Sequence, residues 1–247
     1  MFSPLFLHIP HSSVLIPDEY RERFRSDPET ELPFMTDWYT DELFGGPADR
    51  LVFPVSRLFC DPERFRDDEA ESMSRVGMGA VYTRGHDCRP LRDVSEEERE
   101  SILRRWYDPH HRELEFMTSR RLEAFGRCLI LDCHSFHPVP LPYEPDQRGE
   151  RPDICIGTDP YHTPVDLADL VTERFRRLGY SVMRDSPYSG TIVPLSRYGT
   201  DPCVFSLMIE VNRGLYLDNT DRKEPMFEKL KDDLTNIILS AEFWILR

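Results

Sequence analysis

The stretch Leu129-Ile130-Leu131-Asp132-Cys133-His134-Ser135-Phe136 does most to constrain the fold: an apolar run, too short to span a bilayer, that stops abruptly in residues able to do chemistry. It reads as a buried strand delivering His134 to the rim of a sheet. Leu5-Phe6-Leu7-His8-Ile9-Pro10, running into His11-Ser12-Ser13, has the same form, and so does Val204-Phe205-Ser206-Leu207-Met208-Ile209, running into Glu210. Ligands in open α/β sheets gather beyond the carboxyl ends of strands, so these runs predict a site where His11, His134 and Glu210 meet.

Helical signals separate the strands. Ser95-Glu96-Glu97-Glu98 is a capping box opening a helix that must bend or restart at Pro109 and continue to about residue 124. Thr163-Pro164 is read as the cap of a helix ended by Gly179, and a last amphipathic helix starts near Glu224-Pro225. Near the N-terminus a short helix is expected over 18–25, and Thr36 is expected to cap a helix over 37–44, with Asp37 in its first turn. Further strands are expected over 51–55, 80–82, 153–156 and 180–183, and a solvated charged stretch over 66–75. The Pro-rich loop 137–152 is long for a connection without structure, as functional lids and mobile segments are. This alternation predicts an α/β fold: a single domain over 1–247, with a mixed, mostly parallel sheet flanked by helices.

Composition narrows the classes. No apolar run approaches the roughly 20 residues a membrane helix needs, and no secretory signal is visible. Six cysteines without paired spacing suit reduced thiols, hence a cytoplasmic location. A formal charge of −14 argues against nucleic-acid and anionic-membrane partners and makes local arginine clusters informative.

His11 and His134, each at a strand end, have the chemistry of ligands to a divalent metal, zinc by preference, completed by one carboxylate with a position left open for water. The competing reading is that each ring bonds a nearby carbonyl. His8 is the weaker candidate, since alternation turns it to the face opposite Leu7 and Ile9. His86, His137 and His162 are read as surface or loop residues.

His134-Ser135-Phe136 after a hydrophobic strand resembles the His-Ser-Tyr of zinc carboxypeptidases, and Glu210-Val211-Asn212-Arg213-Gly214 resembles their strand-borne segment with the general-base glutamate. Those enzymes carry His-x-x-Glu, whereas Val14 stands three residues after His11, so the third ligand must come from elsewhere. Asp37 is the replacement and Asp41 the reserve.

A broader match is to the N-formylglutamate amidohydrolase family, a distant relative of those peptidases. It is carried by Pro10-His11-Ser12 with Ile16-Pro17, Thr36-Asp37-Trp38, Ser56-Arg57 with Asp61 and Arg64, and Tyr107 with Pro109 and His111. It continues through Leu131-Asp132-Cys133-His134-Ser135, Asp153-Ile154-Cys155-Ile156-Gly157-Thr158, Pro187-Tyr188-Ser189-Gly190 and Ile209-Glu210-Val211-Asn212-Arg213 with Tyr216. The chain departs from the family in Glu63, where Asn is usual, and in Ser13, where Gly is usual.

The resemblance implies a zinc-carboxypeptidase-like (phosphorylase/hydrolase-like) fold and hydrolysis of a small anionic N-acyl amino acid, N-formylglutamate above all. It also implies one zinc ion on His11, Asp37 and His134, with Glu210 as general base. His111 would steady the oxyanion or a substrate carboxylate. Arg57, Arg64 and Arg213 would read the substrate's carboxylates, with Ser135, Tyr188 and Gly190 completing the pocket. The alternatives are a zinc exopeptidase or peptidoglycan-type amidase, and a non-catalytic metal- or ligand-binding protein. For Glu210 the competing role is a structural ion pair with Arg213.

Overall fold

The computed structural model describes residues 2–25 and 27–247. Its strands are β1 (Leu5–Ile9), β2 (Asp49–Val52), β3 (Cys128–Phe136), β4 (Ile154–Gly157), β5 (Val182–Arg184) and β6 (Val204–Asn212). Its helices are α1 (Asp18–Arg21), α2 (Leu32–Met35), α3 (Thr40–Leu43), α4 (Glu96–Ile102), α5 (Asp108–Phe125), α6 (Val165–Arg177) and α7 (Met226–Ile245). The strands form one sheet in the order β2-β1-β3-β6-β4-β5. All neighbours are parallel except β4 and β6. The fold is therefore a single α/β domain with a mixed, mostly parallel sheet.

The two long central strands are buried along almost their whole length, which is why they read as near-continuous apolar runs. Alternation sorts their side chains. Leu5, Leu7, Ile9, Leu129, Leu131, Cys133, Leu207, Ile209 and Val211 pack with α6 and α7 in the main core. Phe6, Cys128, Ile130 and Val204 meet Leu114 of α5 on the other face. Continuing along that second face, β1 and β3 place His8 opposite Asp132, and β3 and β6 place His134 opposite Glu210. One face of three parallel strands thus changes from apolar to ionisable near its carboxyl edge.

Several expected elements differ. The Ser95 Oγ accepts from the Glu98 N–H at 3.2 Å, as the capping box requires. The helix it opens passes through a π turn, Leu103–Tyr107, and restarts as α5 at Asp108-Pro109, where the missing proline N–H costs no bond. Thr163 does not cap α6; its hydroxyl donates to the Ser206 carbonyl at 2.6 Å and ties the helix start to β6. The expected strand over 80–82 is absent because these residues turn inward, and the Tyr82 hydroxyl donates to Asp61 Oδ2 at 2.6 Å. The charged stretch 66–75 is not wholly solvated: Glu71 is buried, accepting from the Phe65 and Met73 N–H groups.

Candidate active site

His11 and His134 face one another beyond the ends of β1 and β3, with ring centroids 5.1 Å apart. Asp37 lies between them. Its Oδ2 is 3.1 Å from His134 Nδ1 and 3.6 Å from His11 Nδ1, and it accepts from the Ser135 N–H at 3.2 Å. The remaining ring nitrogens are each held by another carboxylate: His11 Nε2 by Asp61 Oδ1 at 2.8 Å, and His134 Nε2 by Asp132 Oδ1 at 3.1 Å. All five residues are buried, and His11 Nδ1 has no hydrogen-bond partner. The structure thus brings the proposed ligands together.

Asp37 reaches this position by a different route from the expected one. Thr36 does not cap the next helix but ends α2, and Tyr39 takes a left-handed φ of 60° that breaks the chain before α3 begins at Thr40. The Asp37 N–H donates to the His11 carbonyl at 3.0 Å, pinning this loop to the end of β1. Asp41, the reserve ligand, is only partly buried and lies on α3, away from the histidine pair.

Burial opposes ionisation of Asp37, Asp61 and Asp132, yet all three are held well below the usual carboxylate range. His11 and His134 outweigh burial at Asp37; His11, Arg57 and Arg64 do so at Asp61; His134 and His8 do so at Asp132. Burial likewise opposes protonation of His134, but the Glu63 and Asp132 charges raise its pKa. Glu63 joins the cluster with Oε2 3.2 Å from His134 Nε2. Carboxylates Asp37, Asp61, Glu63 and Asp132 therefore face the guanidiniums of Arg57 and Arg64, an anionic excess that a buried site must offset with positive charge. A divalent cation fits that deficit, the carboxylate and imidazole donors, and the orphaned His11 Nδ1.

More than one ligand set is geometrically available, since His8, Glu63 and Asp132 also offer atoms within 4.8 Å of one another. His11, Glu63 and His134 offer atoms that all lie within 4.8 Å of one another, while Asp37 sits against both Nδ1 atoms. An ion held on the Asp37 side would leave each Nε2 on its own carboxylate, the arrangement that orients metal-binding imidazoles. An ion between Glu63 and His134 Nε2 would compete with the Asp132 bond to that nitrogen.

Glu210 completes the row. Burial pushes its carboxyl up to about 8, against the His134 charge, and its Oε2 has no partner. It makes no pair with Arg213, whose Nη1 and Nη2 instead donate to the Pro33 and Phe34 carbonyls at 3.1 Å each. The structural-pair alternative for Glu210 is thereby corrected. Arg57 is committed to Asp61, with its Nη2 at 3.0 Å from Oδ2, whereas Arg64 Nε is buried and unbonded. Ser135 Oγ and Arg213 Nε are likewise buried without hydrogen-bond partners.

His111 stands to one side. Its Nε2 contacts the Pro62 carbonyl at 2.8 Å, and burial lowers its pKa to about 4, keeping the ring neutral. It lines a cleft of about 160 Å³ with Glu63, Arg64, Tyr107, Ile192 and Tyr198, which approaches the cluster from the α5 side. Tyr188 packs at the end of β3, its ring 5.7 Å from that of Phe136. Gly190 takes φ +88° with open space where a Cβ would be, so it serves the turn and not a close approach. The close approach is at Gly157, where a Cβ would stand 2.5 Å from the Gly190 carbonyl.

Comparison with known proteins settles the family. The sequence profile of the N-formylglutamate amidohydrolases matches residues 3–217. The chain belongs to the N-formylglutamate amidohydrolase family. Membership makes it an amidohydrolase. An N-formylglutamate deformylase of Pseudomonas putida is 25% identical over 237 residues, covering 88% of this chain and 83% of that one. The crystal structure of an N-formylglutamate amidohydrolase from Ralstonia eutropha JMP134 superposes with a TM-score of 0.83 at 23% identity, covering 98% of this chain and 94% of that one. A gene product of Agrobacterium tumefaciens gives 0.76 at 20% identity, covering 99% and 92%. At those identities the two structures speak for the shared fold.

The sequence reading left out part of the cluster. His8 is fully buried, with Nδ1 2.8 Å from Asp132 Oδ1 and Nε2 2.9 Å from His110 Nε2, so a polar chain runs from His134 through Asp132 and His8 to α5. Its signal was present: two-residue alternation puts His8, Asp132 and His134 on one face. Asp61 lies in a loop, outside any alternation, and is marked only by its place in the family pattern with Arg57 and Arg64. His162, read as a surface or loop residue, is wholly buried, with Nδ1 2.8 Å from the Val204 carbonyl and Nε2 accepting from the Gly199 N–H.

Proposed function

We propose that the chain is a zinc-dependent deformylase that hydrolyses N-formylglutamate to glutamate and formate. Its zinc ligands are His11, Asp37 and His134, its general base is Glu210, and its place of action is the cytoplasm. The observation carrying this reading is the orphaned His11 Nδ1 beside Asp37 Oδ2, together with an unbonded Glu210 Oε2 at the β6 position opposite His134. When bound, zinc would polarise the formyl carbonyl and lower the pKa of a water to about 7. Asp61 and Asp132 hold the imidazoles in place. In its ionised form, which a bound cation beside it would favour, Glu210 receives the water's proton and returns it to the departing amine nitrogen. Arg64 and Arg213, with unbonded Nε atoms, face the substrate's carboxylates. Burial of the whole cluster favours a small substrate over the peptide or glycan of the exopeptidase and amidase alternatives, and a pure binder would have no use for Glu210.

Metal analysis and formate release from a panel of N-formyl amino acids test the proposal together. One zinc per chain, and N-formylglutamate preferred over N-formylglutamine by at least about tenfold, are expected, because a site built for a buried anion rejects its neutral analogue. Equal turnover of the two would discard the dicarboxylate reading, and full activity after exhaustive chelation would discard the metal.

A further inference from the structure

The two guanidiniums of the cluster serve one part of it: Arg57 and Arg64 pair with Asp61, and Arg57 reaches Asp37 at 3.8 Å. Glu63 and Asp132 have no such partner. Among the described residues their ion-pair contacts are with His8 and His134 only. A metal-binding imidazole is neutral, so with zinc on His134 that ring supplies them no charge. Asp132 is fully buried and the Glu63 side chain is only 15% exposed. Two carboxylates withdrawn from water with no ammonium or guanidinium beside them call for a cation from outside, since buried charges are paired or bind metal.

His8 from β1, Asp132 from β3 and Glu63 from the loop after β2 offer donor atoms that all lie within 4.8 Å of one another. His8 Nδ1 is 2.8 Å from Asp132 Oδ1 and 3.6 Å from Glu63 Oε1. Donors held at about 2.0–2.2 Å from one ion stand about 2.8–3.6 Å apart, from octahedral to tetrahedral angles. Both spacings suit a shared ion. The surroundings already hold two of the ligands. His8 Nε2 lies 2.9 Å from His110 Nε2, which can accept the N–H of a ring coordinated through Nδ1, and Asp132 Oδ2 accepts from the Ile192 N–H at 3.0 Å. Glu63 also lines the cleft of about 160 Å³, which gives an ion a way in and water to complete its shell.

We propose that His8, Glu63 and Asp132 form a second divalent-cation site, on the Nε2 side of His134 and separate from the zinc site of His11, Asp37 and His134. The two sets share no residue, so both sites can be filled at once. The proposal rests on the zinc reading only where that reading makes His134 neutral. One imidazole and two carboxylates, with water for the remaining positions, suit an ion such as Mn²⁺. With one imidazole where the zinc site has two, this is the weaker site and empties on dialysis, which leaves one tightly held zinc per chain in the purified enzyme.

The test is a titration of the full, zinc-loaded and dialysed chain with Mn²⁺, reading free Mn²⁺ by electron paramagnetic resonance and released zinc in the ultrafiltrate. One Mn²⁺ should bind per chain with the zinc retained. Glu63→Gln keeps the side chain's shape at a partly exposed position and removes one ligand charge. Its Kd for Mn²⁺ should rise at least about tenfold while zinc stays bound, because affinity at such sites follows the ligand charge count. His8→Gln, the second variant, should weaken Mn²⁺ in the same way.

No Mn²⁺ bound beyond the zinc overturns the site, and so does Mn²⁺ that enters only by releasing an equal amount of zinc. A Glu63→Gln chain that binds Mn²⁺ as tightly as the parent overturns the ligand assignment. A parent that holds no zinc fails instead at the functional reading. The comparison of parent with Glu63→Gln in Mn²⁺ then still decides this site, because none of its ligands is a zinc ligand.

Discussion

Two buried histidine environments in this molecule look alike by burial and differ in chemistry. At His162 both ring nitrogens are satisfied by backbone, the Val204 carbonyl on one side and the Gly199 N–H on the other. That ring stitches the α6 approach to β6. At His11 one nitrogen is taken by the Asp61 carboxylate and the other has no partner, although it faces Asp37. Burial alone therefore says little about function. What separates the two places is a carboxylate behind the ring and an unpaired nitrogen in front of it, because an unpaired buried polar atom is costly unless something is meant to bind it.

The largest contrast comes from truncating one histidine in each place. His134→Ala should lose stoichiometric zinc and with it essentially all formate release, since two protein ligands are too few. His162→Ala should keep zinc and the turnover of folded enzyme but cost about 2–4 kcal/mol of stability, leaving a cavity and two unpaired backbone groups. Metal analysis beside thermal melts checks both; zinc retained in His134→Ala, or lost in His162→Ala, would erase the distinction.

A smaller effect is expected behind the rings. Asp132→Asn removes the charge that holds His134 Nε2 and should weaken zinc binding about 10- to 100-fold in a chelator competition. Running Asp37→Asn and Glu63→Gln in the same assay sharpens the ligand assignment: the account requires the far larger loss at Asp37, and the reverse order would move the ligand to Glu63.

The mildest test uses the metal-free protein. The Glu210 carboxyl titrates at about 8 in the fold against an ordinary value of 4.5, so its neutral form is the one the fold prefers. Its contribution is whole below about pH 4.5 and is lost as pH rises through about 8. The Tm of the metal-free parent should therefore fall relative to that of metal-free Glu210→Gln between about pH 5 and 9. Parallel curves would place the carboxyl in water.

The strands and the residues at their ends were legible because long buried parallel strands demand apolar runs, and a run that stops at His134 or Glu210 advertises the stop. Asp37 was found by its place in the family pattern, but its setting was misread: a Thr-Asp beside a helix looks like a cap, and only the left-handed Tyr39 and the tie to the His11 carbonyl make it a loop. Asp61 and Glu63 stand out only through the family pattern, the first as a match and the second as a departure, and neither carries a role there; His110 joins from a helix far away in sequence and nothing local marks it. His8 and Asp132 were legible in principle, since both follow from the alternation that places His134. Arg213 was seen as a possible partner of Glu210; the strand's end turns it toward the α2 carbonyls instead.

The most direct measurement is made on Glu210→Gln, which keeps the shape of the side chain and removes its basic oxygen. Zinc content, Tm near neutral pH and single-turnover formate release from N-formylglutamate are to be read on the variant and the parent together. The account predicts zinc retained, a Tm at or above that of the parent, and a rate lowered by about 10²–10⁴-fold, as for loss of a general base. A folded, zinc-loaded Glu210→Gln enzyme that releases formate at the parental rate would contradict it.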